Sequence, residues 1–293
     1  MKAFVLAEPG KVKWFDAPEP QLVPYGAILK PVAVTPCSSD VHTVFGGGSK
    51  KQDNLVLGHE CIAEVVSVGE NVCDFKTGDR VAVPAITPDW REKSIQEGND
   101  RHASAPFSGH QLGRTQPGVF SERFLIKDAD TTLAHIPQKI SEEQALMSVD
   151  VVTTGFTGAE YADIKIGDTV CVIGIGPIGL MAVAGAKLRG AARIIAVGTR
   201  PKCVQLAKYY GATDVLSYKE GDIVQQVKEL TNGIGVDATI IAGGTAEVLT
   251  QAYDMTRYGI GTISNINYFG GTGYLPLPIF SGGRGMCGKT LHM

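Results

Sequence analysis

What the 293 residues lack narrows the field first. There is no Cys-x-x-Cys pair; the six cysteines are scattered along the chain. A chain this long and apolar has no need of a disulfide framework, so a reducing, cytoplasmic setting is expected. No basic stripe is present and the formal net charge is −3, which excludes a nucleic-acid surface. The opening "MKAFVLAEPGKVKWF" has no signal-peptide apolar region with a small-residue cleavage site. The most apolar run, starting at Thr169, is interrupted by Gly174, Gly176, Pro177 and Gly179 and bounded by Asp168 and Lys187. That does not read as a membrane span. Hydrophobic residues make up 44% and charged residues 19%, so the chain is globular rather than disordered. Its length suits about two domains of ~150 residues.

The stretch "TVCVIGIGPIGLMAVAGAKL" carries the strongest local signal. Thr169–Ile173 reads as a strand buried on both faces. Gly174, Gly176 and Gly179 then supply G-x-G-x-x-G, and Leu180, Val183, Ala184 and Leu188 follow at helical spacing. A dinucleotide site needs this order. The first glycine allows a tight turn, the second lets backbone approach a pyrophosphate, and the third lets the helix pack close to the strand. The turn residues Gly174, Ile175, Gly176, Pro177, Ile178 and Gly179 are therefore candidates for cofactor binding. The free N–H groups of the helix start favour phosphate.

An NAD site places Asp or Glu at the end of the second strand, where it binds the ribose 2′-hydroxyl. Here that place holds Gly198, Thr199 and Arg200. Glycine leaves room for a 2′-phosphate, threonine can donate to it, and arginine can pair with it. The expected cofactor is NADP rather than NAD.

Up to about Val83 the chain shows short strands at Ala27–Pro36, Glu60–Gly69 and Asp79–Pro84, punctuated by turns and with no long helical period. This describes a β-barrel-type lobe. A helix over Asp150–Ile164 links it to repeated strand–helix units. Strands are expected at Thr169–Ile173, Arg193–Val197, Asp214–Ser217, Ala238–Ile241 and Thr262–Ile266, with helices including Pro201–Tyr210 and Asp222–Thr231. Such alternation predicts an α/β, doubly wound parallel sheet. The expected domains are residues 1–153 and 154–293.

In the first lobe, Cys37, His59 with Glu60, and Asp150 form a plausible three-ligand catalytic zinc set. Glu60 suits either an extra ligand or a partner behind the ligands. Singly, each has a plain explanation: a buried small cysteine, a satisfied histidine, and an Asp150 that caps the helix beginning near Val151.

The segments "PCSSDVHT", "LGHE", "VPAITPDW", "VTTGFTGAE", "GIGPIG" and "VGTR", in this order, closely resemble the zinc-dependent medium-chain alcohol dehydrogenases. The nearest match is their tetrameric, NADP-dependent secondary-alcohol branch, and the resemblance covers essentially the whole chain. It implies a GroES-like catalytic domain followed by a Rossmann domain. It implies that Cys37, His59 and Asp150 bind catalytic zinc, and that Glu60 can enter the coordination sphere when substrate is absent. Ser39 and His42 would relay the alcohol proton. Tyr218 would lie near the adenine or its phosphate, and Asn265, Ile266 and Asn267 would hold the nicotinamide side. The implied substrates are small secondary alcohols, ketones and aldehydes, and the implied assembly is a homotetramer. Polyol or diol oxidation, or a dinucleotide-binding remnant without turnover, are the other readings.

Several departures matter. Residues 85–118 contain no cysteine, so the four-Cys structural zinc of many relatives is excluded and one zinc is expected. The pocket is expected near Ser39, Ala85, Ile86 and His110, where relatives usually carry Trp at the position of His110. Ala63 stands where the "GHE" motif normally continues to glycine, so its methyl is expected to crowd the backbone. The family's sixth strand begins near "GKTLHM", and the segment that returns to the first domain is absent from this sequence. A shortened chain with an unpaired sheet edge is therefore expected, with activity that has to be measured.

Overall fold

The computed structural model describes residues 1–45, 54–98, 109–269 and 289–292. Two compact units divide it, Met1–Asp150 and Val151–Met293.

The first unit holds two antiparallel sheets. Strands β1 (Lys2–Glu8), β2 (Lys11–Asp16), β3 (Ala27–Thr35), β4 (Leu55–Val56), β5 (Glu60–Val68), β6 (Arg80–Val83), β7 (Phe124–Ile126) and β8 (Ala134–His135) are joined by turns and short helices. The sheet orders are β2-β1-β4 and β7-β3-β5-β6-β8. Strands β3, β5 and β6 lie where the sequence predicts them. The helices are α1 (Ser38–Val44), α2 (Lys93–Gln96), α3 (Ala129–Thr132) and α4 (Glu142–Ser148). Leu29, Cys61, Ala63, Val65, Val81, Val83 and Phe124 form the core beneath the larger sheet. Ala63 is fully buried there, paired with Pro31 and Val81. The methyl expected to crowd the backbone is instead a core contact.

The second unit is a parallel sheet with helices between its strands. Its strands are β9 (Thr169–Ile173), β10 (Arg193–Val197), β11 (Asp214–Leu216), β12 (Ala238–Ile241), β13 (Thr262–Asn265) and β14 (Thr290–His292). Their order, β11-β10-β9-β12-β13-β14, makes β9 central and reverses direction between β9 and β12. In such sheets the ligand crevice opens at the carboxyl ends of the strands beside that reversal. Alternate residues of β9 fill two cores. Val170 and Val172 join Ile194, Ala196 and Ile240 on one face. Cys171 and Ile173 join Ile195, Val197 and Ile241 on the other. Burial on both faces is the reason for the continuous apolar runs. Strand β14 pairs in parallel with β13.

Helices α5 (Val151–Tyr161), α6 (Pro177–Leu188), α7 (Pro201–Tyr210), α8 (Ile223–Leu230) and α9 (Glu247–Met255) complete this unit. Among the described residues no helix is long and apolar enough to cross a membrane. The compact units divide at the start of α5, not at the sequence-based boundary after residue 153. The physical reason is that α5 packs on α6 from its first turns. A Cβ at Gly155 would meet Met181 Cβ at 2.5 Å and the Ile178 carbonyl at 2.7 Å.

The glycine turn follows the expected division of labour. Gly174 sits at φ +89°, and a Cβ at Gly179 would stand 1.8 Å from the Gly174 carbonyl oxygen. Gly179→Ala must therefore push α6 away from the turn. It should destabilise the protein by about 2–4 kcal/mol, read as a lowered midpoint in thermal unfolding without cofactor.

Candidate metal and dinucleotide sites

The first site is built where three chain segments converge. Strand β3 ends at Thr35, Pro36 turns the chain, and Cys37 becomes the N-cap of α1 with extended backbone. Strand β5 starts at Glu60, so His59 and Glu60 project from its first residues. After β6, the Ala85 N–H donates to the Val149 carbonyl at 3.1 Å. That bond fixes the stretch carrying Asp150.

Ligand atoms of Cys37, His59, Glu60 and Asp150 all lie within 4.8 Å of one another. His59 Nε2 stands 3.8 Å from Glu60 Oε1 and 3.7 Å from Asp150 Oδ2. His59 and Glu60 are each 2% exposed. Glu60 Oε2 is buried without a hydrogen-bond partner among the described residues. A sulfur, an imidazole and two carboxylates facing one another, with a carboxylate oxygen left unpaired, fit a divalent cation with borderline-soft preference, and zinc has that chemistry. Zinc would be held by Cys37, His59 and Asp150, with Glu60 in reach.

Asp40 is the residue that sequence reasoning missed. Its Oδ2 accepts the Cys37 N–H at 2.9 Å. Its Oδ1 accepts the Gly58 N–H at 3.2 Å and lies 3.3 Å from His59 Nδ1. One buried carboxylate thus anchors both ligand segments and leaves His59 Nε2 for the donor group. Gly58 has φ +90°, and a Cβ there would strike the Phe120 ring at 2.4 Å. Only glycine brings this N–H to Asp40 beside that ring. A signal did exist: an acid three residues past an N-cap can accept the cap's own N–H.

The electrostatics follow from this crowding. Burial works against ionising Asp40, but His59 and the N–H groups of Cys37 and Gly58 outweigh it and hold the carboxyl below its ordinary range. Burial likewise opposes a charged His59, yet Asp150, Asp40 and Cys37 together raise its pKa well above the ordinary value. Burial, then the Asp150 charge, pushes Glu60 up to about 7.

Ser39 and His42 lie on α1 three residues apart, hence on one helix face. Ser39 Oγ is 3.3 Å from His59 Nε2, and His42 is exposed. Of the expected pocket residues, Ala85 is buried beside the Asp150 segment and the His110 ring meets the His59 ring. Burial depresses the His110 pKa to about 4.

The second site lies at the carboxyl ends of β9 and β10. Gly176 caps α6 and Pro177 occupies its first turn. Arg200 Nη2 reaches within 3.4 Å of the place a Gly176 Cβ would take. Arg200 is exposed and forms no ion pair among the described residues. Thr199 Oγ1 donates to the Tyr218 hydroxyl at 3.1 Å. A Cβ at Gly198 would meet Ile175 Cγ1 at 2.3 Å, so Gly198 is also the space into which Ile175 packs. Ile178 lies in the first turn of α6. The Ile266 N–H donates to the Ile241 carbonyl at 3.0 Å, holding the end of β13 to β12. Asn265 and Asn267 bond each other, and Asn267 Nδ2 donates to the Gly244 carbonyl at 3.1 Å.

An antiparallel lobe with an S/N/O donor group, followed by a doubly wound lobe with a phosphate-type turn, defines a metal- and dinucleotide-dependent dehydrogenase plan. The comparisons agree. Residues 24–138 match the family model of the alcohol dehydrogenase GroES-like domain, and residues 177–284 match that of the zinc-binding dehydrogenases. The NADP-dependent isopropanol dehydrogenase of Thermoanaerobacter brockii is 54% identical over 291 residues, covering 99% of this chain and 82% of that protein. Its namesake from Clostridium beijerinckii is 51% identical, covering 99% and 83%. Among solved structures, the zinc-dependent alcohol dehydrogenase 2 of Streptococcus pneumonia superposes with a TM-score of 0.88 at 27% identity, covering 99% of this chain and 81% of that one. The chain belongs to the zinc-type alcohol dehydrogenase family.

Two outcomes test the donor group. Asp40→Asn keeps the shape but removes the charge behind His59, and should weaken zinc binding about 10–100-fold in a chelator competition. The second concerns pH. Glu60 holds its proton more tightly folded than unfolded, so metal-free stability falls as pH rises from the ordinary carboxyl range to about 7. His59, also raised, adds a loss as pH climbs through its folded pKa. Calorimetry of chelator-treated protein should therefore show a lower unfolding temperature at about pH 8 than at about pH 5, and zinc should reverse the order because binding releases these protons.

Proposed function

We propose that this chain transfers hydride between NADP(H) and small secondary alcohols or ketones, aldehydes included, using one catalytic zinc and no structural zinc. The observation that carries the reading is the donor group: Cys37, His59, Glu60 and Asp150 converge within 4.8 Å. Bound zinc supplies a Lewis acid that lowers the pKa of an alcohol, and bound NADP accepts the hydride. Everything else falls to the chain's own residues. Cys37, His59 and Asp150 hold the ion, and Asp40 fixes the imidazole that Cys37 and Asp150 face. Ser39, with its hydroxyl beside His59 Nε2, takes the substrate proton. His42, one turn further on and exposed, hands it to water.

NADP is favoured over NAD by Arg200, an exposed guanidinium at the glycine turn with no acidic partner among the described residues. No carboxylate stands at Gly198–Arg200 to repel a 2′-phosphate. Tyr218 and the Asn265–Asn267 turn would border the two ends of the cofactor. A homotetramer, supported by the resemblance to the secondary-alcohol branch, and a cytoplasmic setting, supported by the scattered cysteines, belong to the same proposal.

The test is direct. Purified protein should hold zinc and reduce NADP with 2-propanol far faster than it reduces NAD. Arg200→Ala should raise the KM for NADP about 10–100-fold, the value of a charge-assisted phosphate contact, while the KM for NAD changes little. Equal turnover with both cofactors would sink the cofactor assignment.

A further inference from the structure

His110 is a half-buried residue with one enclosed polar atom that the reading above does not use. Its ring meets that of His59 edge-on, with centroids 4.6 Å apart and planes at 66°. Its Nε2 is closed off from water and has no hydrogen-bond partner among the described residues. Leaving such an atom unpaired costs about 1–3 kcal/mol. The neighbouring backbone holds it in place, because the Thr87 N–H donates to the Gly109 carbonyl at 2.7 Å. Thr87 Oγ1 is itself buried and unpaired among the described residues. Two idle polar atoms therefore belong to the joined Thr87 and Gly109–His110 segments, on the same lobe as the donor group.

A simple secondary alcohol has one oxygen, which the donor group would occupy. It has nothing to offer an imidazole nitrogen beside His59. A second oxygen close to the first would. Because the two rings are in contact, few carbons can separate those oxygens. We propose that the substrate is an alcohol with a second oxygen on the neighbouring carbon, a vicinal diol or its α-hydroxy ketone, and that His110 Nε2 hydrogen-bonds that second oxygen. This deepens the dehydrogenase reading and rests on it. The carbinol C–H leaves as hydride to NADP, the O–H proton goes to water, and the second hydroxyl is unchanged. The His110 side chain is only partly buried, and its broad χ2 torsion lets the nitrogen turn toward a ligand.

The experiment compares kcat/KM for 1,2-propanediol and 2-propanol, with NADP, in the zinc-loaded protein and in His110→Phe and His110→Gln. The diol-to-monool ratio should fall about tenfold or more in His110→Phe and be largely kept in His110→Gln. A second readout needs no turnover. In metal-free protein, His110→Phe should raise the Tm by about 2–4 °C, because it removes the unpaired nitrogen without emptying the space. An unchanged ratio in both variants would overturn the proposal. So would a lowered Tm with an unchanged ratio, which would mean that the protein pairs Nε2 itself. Failure of the wild-type protein to oxidise either alcohol would overturn the dehydrogenase reading, and this inference with it.

Discussion

The site depends on one buried carboxylate. Asp40 accepts from the backbone of Cys37 and of Gly58 and stands against His59 Nδ1. Cys37 caps α1 and His59 precedes β5, and nothing in their own backbones aligns them. Asp40 does so because it sits in the first turn of α1, where its side chain can reach back to the cap and across to the Gly58 loop. The arrangement works only if the carboxylate stays charged while buried. His59 and two N–H donors outweigh the burial and keep it so. Asp40 and His59 therefore hold each other in register.

This anchor explains a cost elsewhere. Glu60 and Asp150 crowd the same imidazole, and a Glu60 oxygen has no partner among the described residues. Packing carboxylates and a thiol around one histidine is unfavourable without a cation. The surrounding β-lobe supplies the stability that the site spends. Fully buried Leu29, Val65, Val81 and Phe124 form a core on strands β3, β5, β6 and β7, and β3 and β5 adjoin the Cys37 and His59–Glu60 donors. Cys37 follows the end of β3, His59 and Glu60 stand at the start of β5, and Asp150 lies between α4 and α5.

Much of this was legible in the sequence, for reasons that can be named. The central strands of the parallel sheet are buried on both faces, so they appear as unbroken apolar runs, and β9, β10 and β12 have the bounds their sequence predicts. The glycine turn was readable because a 1.8 Å approach to the Gly174 carbonyl admits no side chain at Gly179. Cys37, His59, Glu60 and Asp150 were readable only as candidates, since their convergence depends on three separate chain segments. Helix α1 was not visible. Val41, Thr43 and Val44 are β-branched and Ser38 and Ser39 favour turns, so tertiary packing, not propensity, makes it helical. The boundary between the units was misplaced by a few residues because α5 joins the second unit through small residues, and glycine has no apolar face to signal which side it packs on.

Missing contacts in this fold take two forms. In the parallel-sheet unit the glycines are absences that neighbouring atoms fill: Gly198 admits Ile175, and Gly158 admits the Ile266 side chain. Those positions are specified by packing and tolerate nothing larger. Among the described residues, hydrogen bonds are unmade at Glu60 Oε2, Thr87 Oγ1 and His110 Nε2 in the antiparallel unit and at Ser264 Oγ in the parallel-sheet unit. Packing does not need them, and a fold selected for stability alone would replace them with apolar groups of similar size. Two of them belong to Glu60 and His110, which both stand against the His59 imidazole, and this marks that lobe as the place where stability is given up for chemistry. The identity of each idle atom, an oxygen among metal donors and a nitrogen set apart from them, divides the task between holding an ion and choosing what comes to it.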